Sequence, residues 1–464
     1  MDAKLTKAVN RFKSSLISGN TFYFDVSEFE EIVDQLLEEG DLQASEIAAR
    51  QGIQIHPGSF AMYLKYAQVL LNKGKYKKSL KYLQFAENVE VNNPDVHLLK
   101  GSARLVMGNE RDAFDSFSKA IECAGNERDE IYYQIGTTYI QIGEIPKAIH
   151  YFEKTIEANP ENEMALYDLG FFCDQAGKHE LSIRYYNEYL DLNPYNHAVW
   201  FNLGTVLNKT DEHRKAIEAY EFALAIKDDF HMGLFNIGNA LANLEQYEEA
   251  IGKYLEFLET EPENDDAHCY IAECYLNISD HDNAAYYYEK ALELNKSNDI
   301  ALFGLGLILW LEMEYEDSID FISKAISLDE ENSEYWLTLG KVYVDDDNQE
   351  HAMEAFKEAA RLDAGNFEIW LAWSDLYNKI KEPLNAIRIL KLGIRKNSNT
   401  LLKYHLVSFL LEMKNETEAF KWLAISLQEE FEQINYLFDI YPKALKNKKL
   451  QKIVADYRKN YITK

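Results

Sequence analysis

The sequence predicts an all-α solenoid of about twelve tandem helix pairs, and three observations carry that expectation. A pattern of apolar and small residues recurs with a period of about 34 residues. Each period contains two stretches of helical spacing separated by a short polar break. Twelve such periods fill most of the 464-residue chain and leave room for little except a short arm and a tail, so no separate globular domain fits.

The pattern is clearest from Glu163 to Pro262. Trp200, Leu203, Gly204 and Leu207 fall on one face of a first helix, and Ala216, Tyr220 and Ala223 on one face of a second. Asp211 and Glu212 mark the break. One period later stand Leu234, Ile237, Gly238 and Leu241, then Ala250, Tyr254 and Phe257. One period earlier stand Leu166, Leu169 and Gly170, then Ser182 and Tyr186. Glycine is expected where the paired helices approach closely, with Ala216, Ala250 or Ser182 opposite and the aromatic residues filling the grooves alongside. Pro194 and Pro262 are expected to close second helices, since proline lacks an N–H and disfavours helix at the preceding residue.

A period of about 34 residues with this signature resembles the tetratricopeptide repeat. The resemblance implies a right-handed superhelix whose first helices line a concave groove for protein segments. It covers about residues 26–434. Residues 1–25 are slightly basic and match no repeat; a short helix or arm is expected there. The first three repeats open near Val26, Phe60 and Pro94, and one extra residue enters near Asn126 to Asp129. The register then holds to about residue 400. The twelfth repeat, from about Leu401, is irregular: its inter-helix turn, Met413 to Glu416, reads one residue short. Residues 435–464 turn basic, with Lys443 to Lys464 opposing only Asp439 and Asp456. There Leu445, Leu450, Ile453 and Val454 suggest an amphipathic capping helix, and the lysines weak self-association.

Composition narrows the function. With 78 acidic against 48 basic residues the formal charge is −30, which opposes phosphate backbones and favours a protein or peptide partner over nucleic acid. Aromatic content of 13% suits residues that fill helix–helix grooves. Cys123, Cys173, Cys269 and Cys274 share no zinc-ligand spacing and read as reduced thiols. The opening residues lack the apolar run of a leader, and no stretch of eighteen apolar residues occurs, so a soluble, cytoplasmic protein with no membrane insertion is expected. No phosphate-binding glycine loop, zinc-binding His pair or nucleophile elbow is present. No enzyme, cofactor or metal is therefore expected. Asp345, Asp346 and Asp347 read as a solvated turn, and His268 as a packing residue in the place that Trp200 takes elsewhere.

Positions five and six of each first helix are the ones that the resemblance turns into the groove. Position five reads Tyr133, Tyr167, Phe201, Phe235, Cys269 and Phe303; position six reads Gln134, Asp168, Asn202, Asn236, Tyr270 and Gly304. Position nine adds Thr137, Thr205, Asn239 and Glu273. The candidate peptide-binding residues are therefore Tyr133, Gln134, Tyr167, Asp168, Phe201, Asn202, Thr205, Phe235, Asn236 and Asn239. Rings would cover a peptide's side chains and amides would pair with its backbone; the same rings could equally serve only as packing. Asn202 and Asn236 resemble the asparagine ladder in the repeat arm of O-linked N-acetylglucosamine transferases, over two or three repeats and without a transferase domain. The two-carboxylate clamp of chaperone-binding repeats needs lysine at position five, which no repeat here has. The expected function is a non-enzymatic scaffold or adaptor. An accessory arm for an enzyme on another chain, and an assembly factor acting through its ends, are the alternatives.

Overall fold

The computed structural model describes residues 3–18 and 22–462, so Asp2 and Lys464, counted with the arm and the tail, lie outside the described residues. The described residues form helices throughout, divided into two compact units, residues 1–236 and 237–464.

In the first unit, α1 (Ala3–Ser18) precedes the pairs α2/α3 (Val26–Glu38, Leu42–Ile55), α4/α5 (Phe60–Asn72, Tyr76–Val89) and α6/α7 (Pro94–Val106, Glu110–Cys123). These are followed by α8/α9 (Arg128–Gln141, Ile145–Ala158), α10/α11 (Glu163–Gln175, His179–Leu192) and α12/α13 (His197–Lys209, His213–Ile226). Next come α14/α15 (Met232–Asn243, Tyr247–Leu258), α16/α17 (Asp265–Asn277, His281–Leu294) and α18/α19 (Asp299–Leu311, Tyr315–Leu328). The last pairs are α20/α21 (Ser333–Asp345, Gln349–Leu362), α22/α23 (Phe367–Lys379, Pro383–Lys396) and α24/α25 (Thr400–Glu412, Glu416–Glu429). A short helix α26 (Ile434–Ile440), a 3-10 turn at Pro442–Lys446 and α27 (Lys448–Ile462) follow to the end of the described residues.

Local chemistry starts most first helices. Asn162, Asn196, Asn264, Asn298, Asn332 and Asn366 recur in the repeat register as N-caps, each side chain accepting a backbone N–H of the first turn. Phe230 holds this place in the seventh repeat. It packs edge-on against Phe201 at 5.0 Å instead, and α14 begins at Met232. Between paired helices one residue turns left-handed. It is glycine in the first five repeats, as at Gly177 (φ 70°), and then Asp211, Glu245, Ser279, Met313, Asp347, Lys381 and Lys414.

Pairing rests on a ring laid over a bare backbone. A Cβ on Gly204 would stand 2.7 Å from Tyr220 Cε1, one on Gly136 2.6 Å from Phe152 Cε1, and one on Gly340 2.5 Å from Phe356 Cε1. The glycine gap is thus filled by the large residue sixteen positions on. The small residue twelve positions on has a separate role where it is serine. Ser182 Oγ donates to the Gly170 carbonyl at 2.6 Å, and Ser318 Oγ to that of Gly306 at 2.7 Å.

Helices flank the first and the last repeat. Phe12 of α1 is buried against Phe24, which meets Phe29 of α2 edge-on at 5.4 Å. At the other end α24 is buried on every face because α22, α23, α25 and α26 all pack on it. Leu450 and Val454 of α27 are buried and Ile453 packs beside them. Leu445 does not join them: it is 55% exposed in the 3-10 turn, outside the face that α27 presents. The twelfth repeat also needs a correction. Its inter-helix turn has full length, since α25 starts sixteen residues after α24 just as α23 does after α22. The missing residue lies earlier, in residues 397–399, and this shifts the close-contact position onto Val407, over which Leu423 is buried.

Candidate functional site

In residues 1–236 the first helices of successive repeats stand side by side: α2 meets α4, α4 meets α6, α6 meets α8 and α10 meets α12. Their shared face carries a set of polar rungs. Tyr133 donates its phenol O–H to Asp168 Oδ2 at 3.0 Å, and Asn202 Nδ2 donates to the Tyr167 hydroxyl at 3.4 Å. Each rung joins position five of one repeat to position six of the next. Ser102 and Thr138 hydroxyls meet at 2.9 Å across α6 and α8. Burial raises the Asp168 carboxyl above its ordinary value, against the Tyr133 hydrogen bond, which lowers it. Burial, then the Asp168 charge, raise the Tyr133 phenol, so it stays a neutral donor.

Two clefts open on this face. The larger, about 490 Å³, lies across α4, α6 and α8. Position nine supplies Gln68, Ser102 and Thr137, and position thirteen supplies Asn72, Val106 and Gln141; Gln134, Thr138, Leu71 and Leu99 add to them, with Leu42 and Tyr76 at the edge. No charged side chain lines it, in a chain of net charge −30. The smaller, about 230 Å³, is bounded by Tyr133, Tyr167, Asp168 and Tyr189, with Glu163 and Met164 at its rim.

The ten residues expected to form a peptide site therefore part company. Tyr133, Tyr167 and Asp168 line the small cleft and Gln134 the large one, where its amide reaches Glu130 at 2.9 Å. Phe201 is half-buried against Tyr220 and Phe230, and Thr205 Oγ1 donates to the Phe201 carbonyl at 3.0 Å. Asn236 Nδ2 donates to the Met232 carbonyl at 3.2 Å, and Phe235, also on α14, is half-buried. Asn239 belongs to the second unit, where it accepts the Tyr254 hydroxyl at 2.7 Å. The tyrosine rungs stop short of Asn236, because Phe201, at position five of the repeat before it, has no hydroxyl. Farther on, position five leaves the surface. Cys269 is buried with its thiol 3.4 Å from Asn298 Oδ1, and Phe303 is buried against Tyr335.

The remaining candidates are committed elsewhere. Asp345 accepts the Trp310 indole N–H at 2.8 Å, and Asp347 meets Lys379 at 2.8 Å. His268 Nδ1 lies 2.9 Å from the Asn264 carbonyl, with its ring near Tyr287. Among the described residues no group of His, Cys, Asp and Glu is arranged to hold a metal, and no helix is long and apolar enough to cross a membrane. All four cysteines are free thiols, and burial pushes Cys173 up to about 11 and Cys274 to about 12.

The pattern at positions five and six does not reveal the large cleft, whose polar lining comes mainly from position nine of the second to fourth repeats. The signal was available: Gln68, Ser102 and Thr137 are three uncharged polar residues in register.

Models of the tetratricopeptide repeat match residues 133–197, 174–229 and 235–299, and another matches residues 333–366. No curated protein matches the chain. Among solved structures, MamA is 24% identical, covering 35% of this chain and 95% of its own at a TM-score of 0.34. A tetratricopeptide repeat protein from Parabacteroides merdae is 17% identical over 53% of this chain and 98% of its own, TM-score 0.47. Yeast Tom70 is 11% identical over 88% and 96%, TM-score 0.45. All three scores fall below 0.5, so the family rests on the repeat itself: matched models and, among the described residues, twelve helix pairs built on one pattern. The chain is a tetratricopeptide repeat protein, an all-α solenoid of a kind that serves protein–protein interaction.

Proposed function

We propose that this tetratricopeptide repeat chain is a non-enzymatic scaffold that holds an extended, uncharged segment of a partner protein against the first helices of its second to fifth repeats. One observation carries the reading: the cleft across α4, α6 and α8 is free of charge in a chain that is otherwise strongly acidic. Gln68, Asn72, Gln134 and Gln141 offer both donors and acceptors, the complement that a peptide backbone requires. Leu71, Leu99 and Val106 supply apolar contact between them. Tyr133 and Tyr167 extend the surface into the smaller cleft, where Asp168 and Glu163 add carboxylates beside their rings.

The test begins with capture of partners by the intact chain and identification by mass spectrometry. Peptides tiling the captured protein are then titrated against the chain and against Gln134→Arg with Ser102→Arg, which fills the cleft with charge. Binding of one uncharged segment should fall about tenfold or more in the variant, the loss of two or more hydrogen bonds with their apolar contacts. Equal affinity of both chains for every peptide would sink the reading. Asn202→Ala with Asn236→Ala examines the outer part of the face, and a loss there with unchanged melting would extend the site toward α14.

A further inference from the structure

The charge of the chain reverses around the second helix of the eleventh repeat. Residues 379–396 hold Lys379, Lys381, Arg388, Lys391, Arg395 and Lys396 against Glu382 alone. α23 itself carries no acidic residue. Arg388, Lys391 and Arg395 are spaced i, i+3 and i+7, so they share one face of that helix. Beside this face α22 and α23 border an open cleft of about 720 Å³. Trp373, Tyr377, Leu384 and Leu392 are its apolar walls, and Leu384 is 71% exposed. The Trp373 indole N–H is buried without an acceptor among the described residues. Of the cations, Lys391 is held by Glu418 at 2.6 Å, whereas Arg388 and Arg395 have no hydrogen-bond or ion-pair partner among the described residues.

We propose that this cleft docks an acidic, amphipathic segment of a partner protein, with carboxylates on Arg388 and Arg395 and an apolar side chain against Leu384 and Trp373. Guanidinium groups pair with carboxylates through two parallel N–H···O bonds, and the neighbouring apolar wall excludes water from one side of the pair. A polyphosphate chain fits less well, because it has no apolar side chain for Leu384 and Trp373 and its charge on every unit is repelled by a chain of net −30 more strongly than a few carboxylates are. The same overall charge on both molecules opposes a second copy of this chain as the occupant. The site lies within residues 237–464 and does not depend on the uncharged cleft of the first unit, so either can fail alone.

The test uses the full chain and a fluorescein-labelled helical peptide with glutamate at i, i+3 and i+7 and leucine at i+4, read by anisotropy. Saturable binding is expected. It should weaken about tenfold with Arg388→Glu and Arg395→Glu together, and similarly when the glutamates become glutamine. Raising salt from about 50 to about 300 mM should also weaken it. Leu384→Ser should weaken it at every salt concentration. These residues are exposed, so unchanged melting of each variant is the check on folding. Absence of saturable binding, equal binding by the charge-reversed chain, or tighter binding of a single-stranded oligonucleotide would overturn the proposal. So would a dimer in sedimentation that the charge-reversed chain fails to form, since the occupant would then be a second copy.

Discussion

Tyr133 and Asp168, 35 residues apart, are joined by a 3.0 Å hydrogen bond that links one repeat to the next. Tyr133→Phe leaves a half-buried carboxylate without this donor and should cost about 1 kcal/mol. Asp168→Asn keeps an acceptor and removes the charge. The Asp168 carboxyl is raised in the folded chain, so folding takes up protons between its ordinary value of 3.8 and the raised one. Its contribution is therefore most favourable below that window and is lost as pH rises through it. Asp168→Asn should then be the more stable chain at pH 7, with an advantage that shrinks toward pH 4. Thermal melts across that range check it; a constant difference would contradict the assignment.

Gly204 and Tyr220 test the packing rule of the array. A methyl on Gly204 would stand 2.7 Å from the ring. Gly204→Ala should therefore cost about 1–3 kcal/mol in denaturant unfolding, and Gly204→Leu more. Tyr220→Leu reduces the group that collides. The double change Gly204→Ala with Tyr220→Leu should cost less than the two single changes added. Additive costs would place the strain elsewhere.

The left-handed turn residues predict gains in stability. Met313 has φ 67° and is 73% exposed, so its side chain contributes little to offset a conformation that disfavours a Cβ. Met313→Gly should stabilise by about 0.5–1 kcal/mol, the backbone relief less the larger chain entropy of unfolded glycine. Gly177→Ala, at φ 70° with no neighbour near its Cβ, is the converse and should destabilise by a similar amount. Opposite signs are required in the two melts.

Truncation after Gln433 removes α26 and α27 and uncovers α24, whose Leu402, Leu406 and Leu410 are buried. The truncated chain should melt earlier at low and high salt alike and should aggregate, because the lost contact is apolar. Lysine-to-serine changes at Lys448, Lys449 and Lys452 should leave melting nearly unchanged. The Lys449–Glu416 pair, at 2.8 Å, is exposed. Such a pair is worth about 0–1 kcal/mol.

Tyr436→Phe probes the same cap from within. It removes the hydroxyl that lies 2.8 Å from the buried His405 Nδ1. The other ring nitrogen, Nε2, meets Asp375 Oδ1 at 2.8 Å. Losing the first of these bonds should cost about 1–2 kcal/mol in denaturant unfolding. An unchanged unfolding midpoint would mean that water replaces the hydroxyl.

The sequence by itself determined the repeat and its helix pairs, since those depend on spacings within the chain. Gly204, Tyr220 and Ala216 sit at fixed intervals, and Asn162, Asn196 and Asn264 start helices through their own neighbours' N–H groups. The extra residue near Asn126 was legible for the same reason. The irregular twelfth repeat was legible too, but its missing residue was assigned to the wrong turn. The fate of the groove residues was decided only in the tertiary structure. Position five reads as one stripe, yet Tyr133 binds Asp168, Phe201 meets Phe230, and Cys269 is buried, because each answers to whatever the adjoining repeat places against it. The cleft across α4, α6 and α8 exists only once three first helices stand together. Hydrogen-bond satisfaction and burial are properties of neighbours in space, and a periodic sequence fixes the positions of those neighbours without fixing which side chains they leave open to a partner.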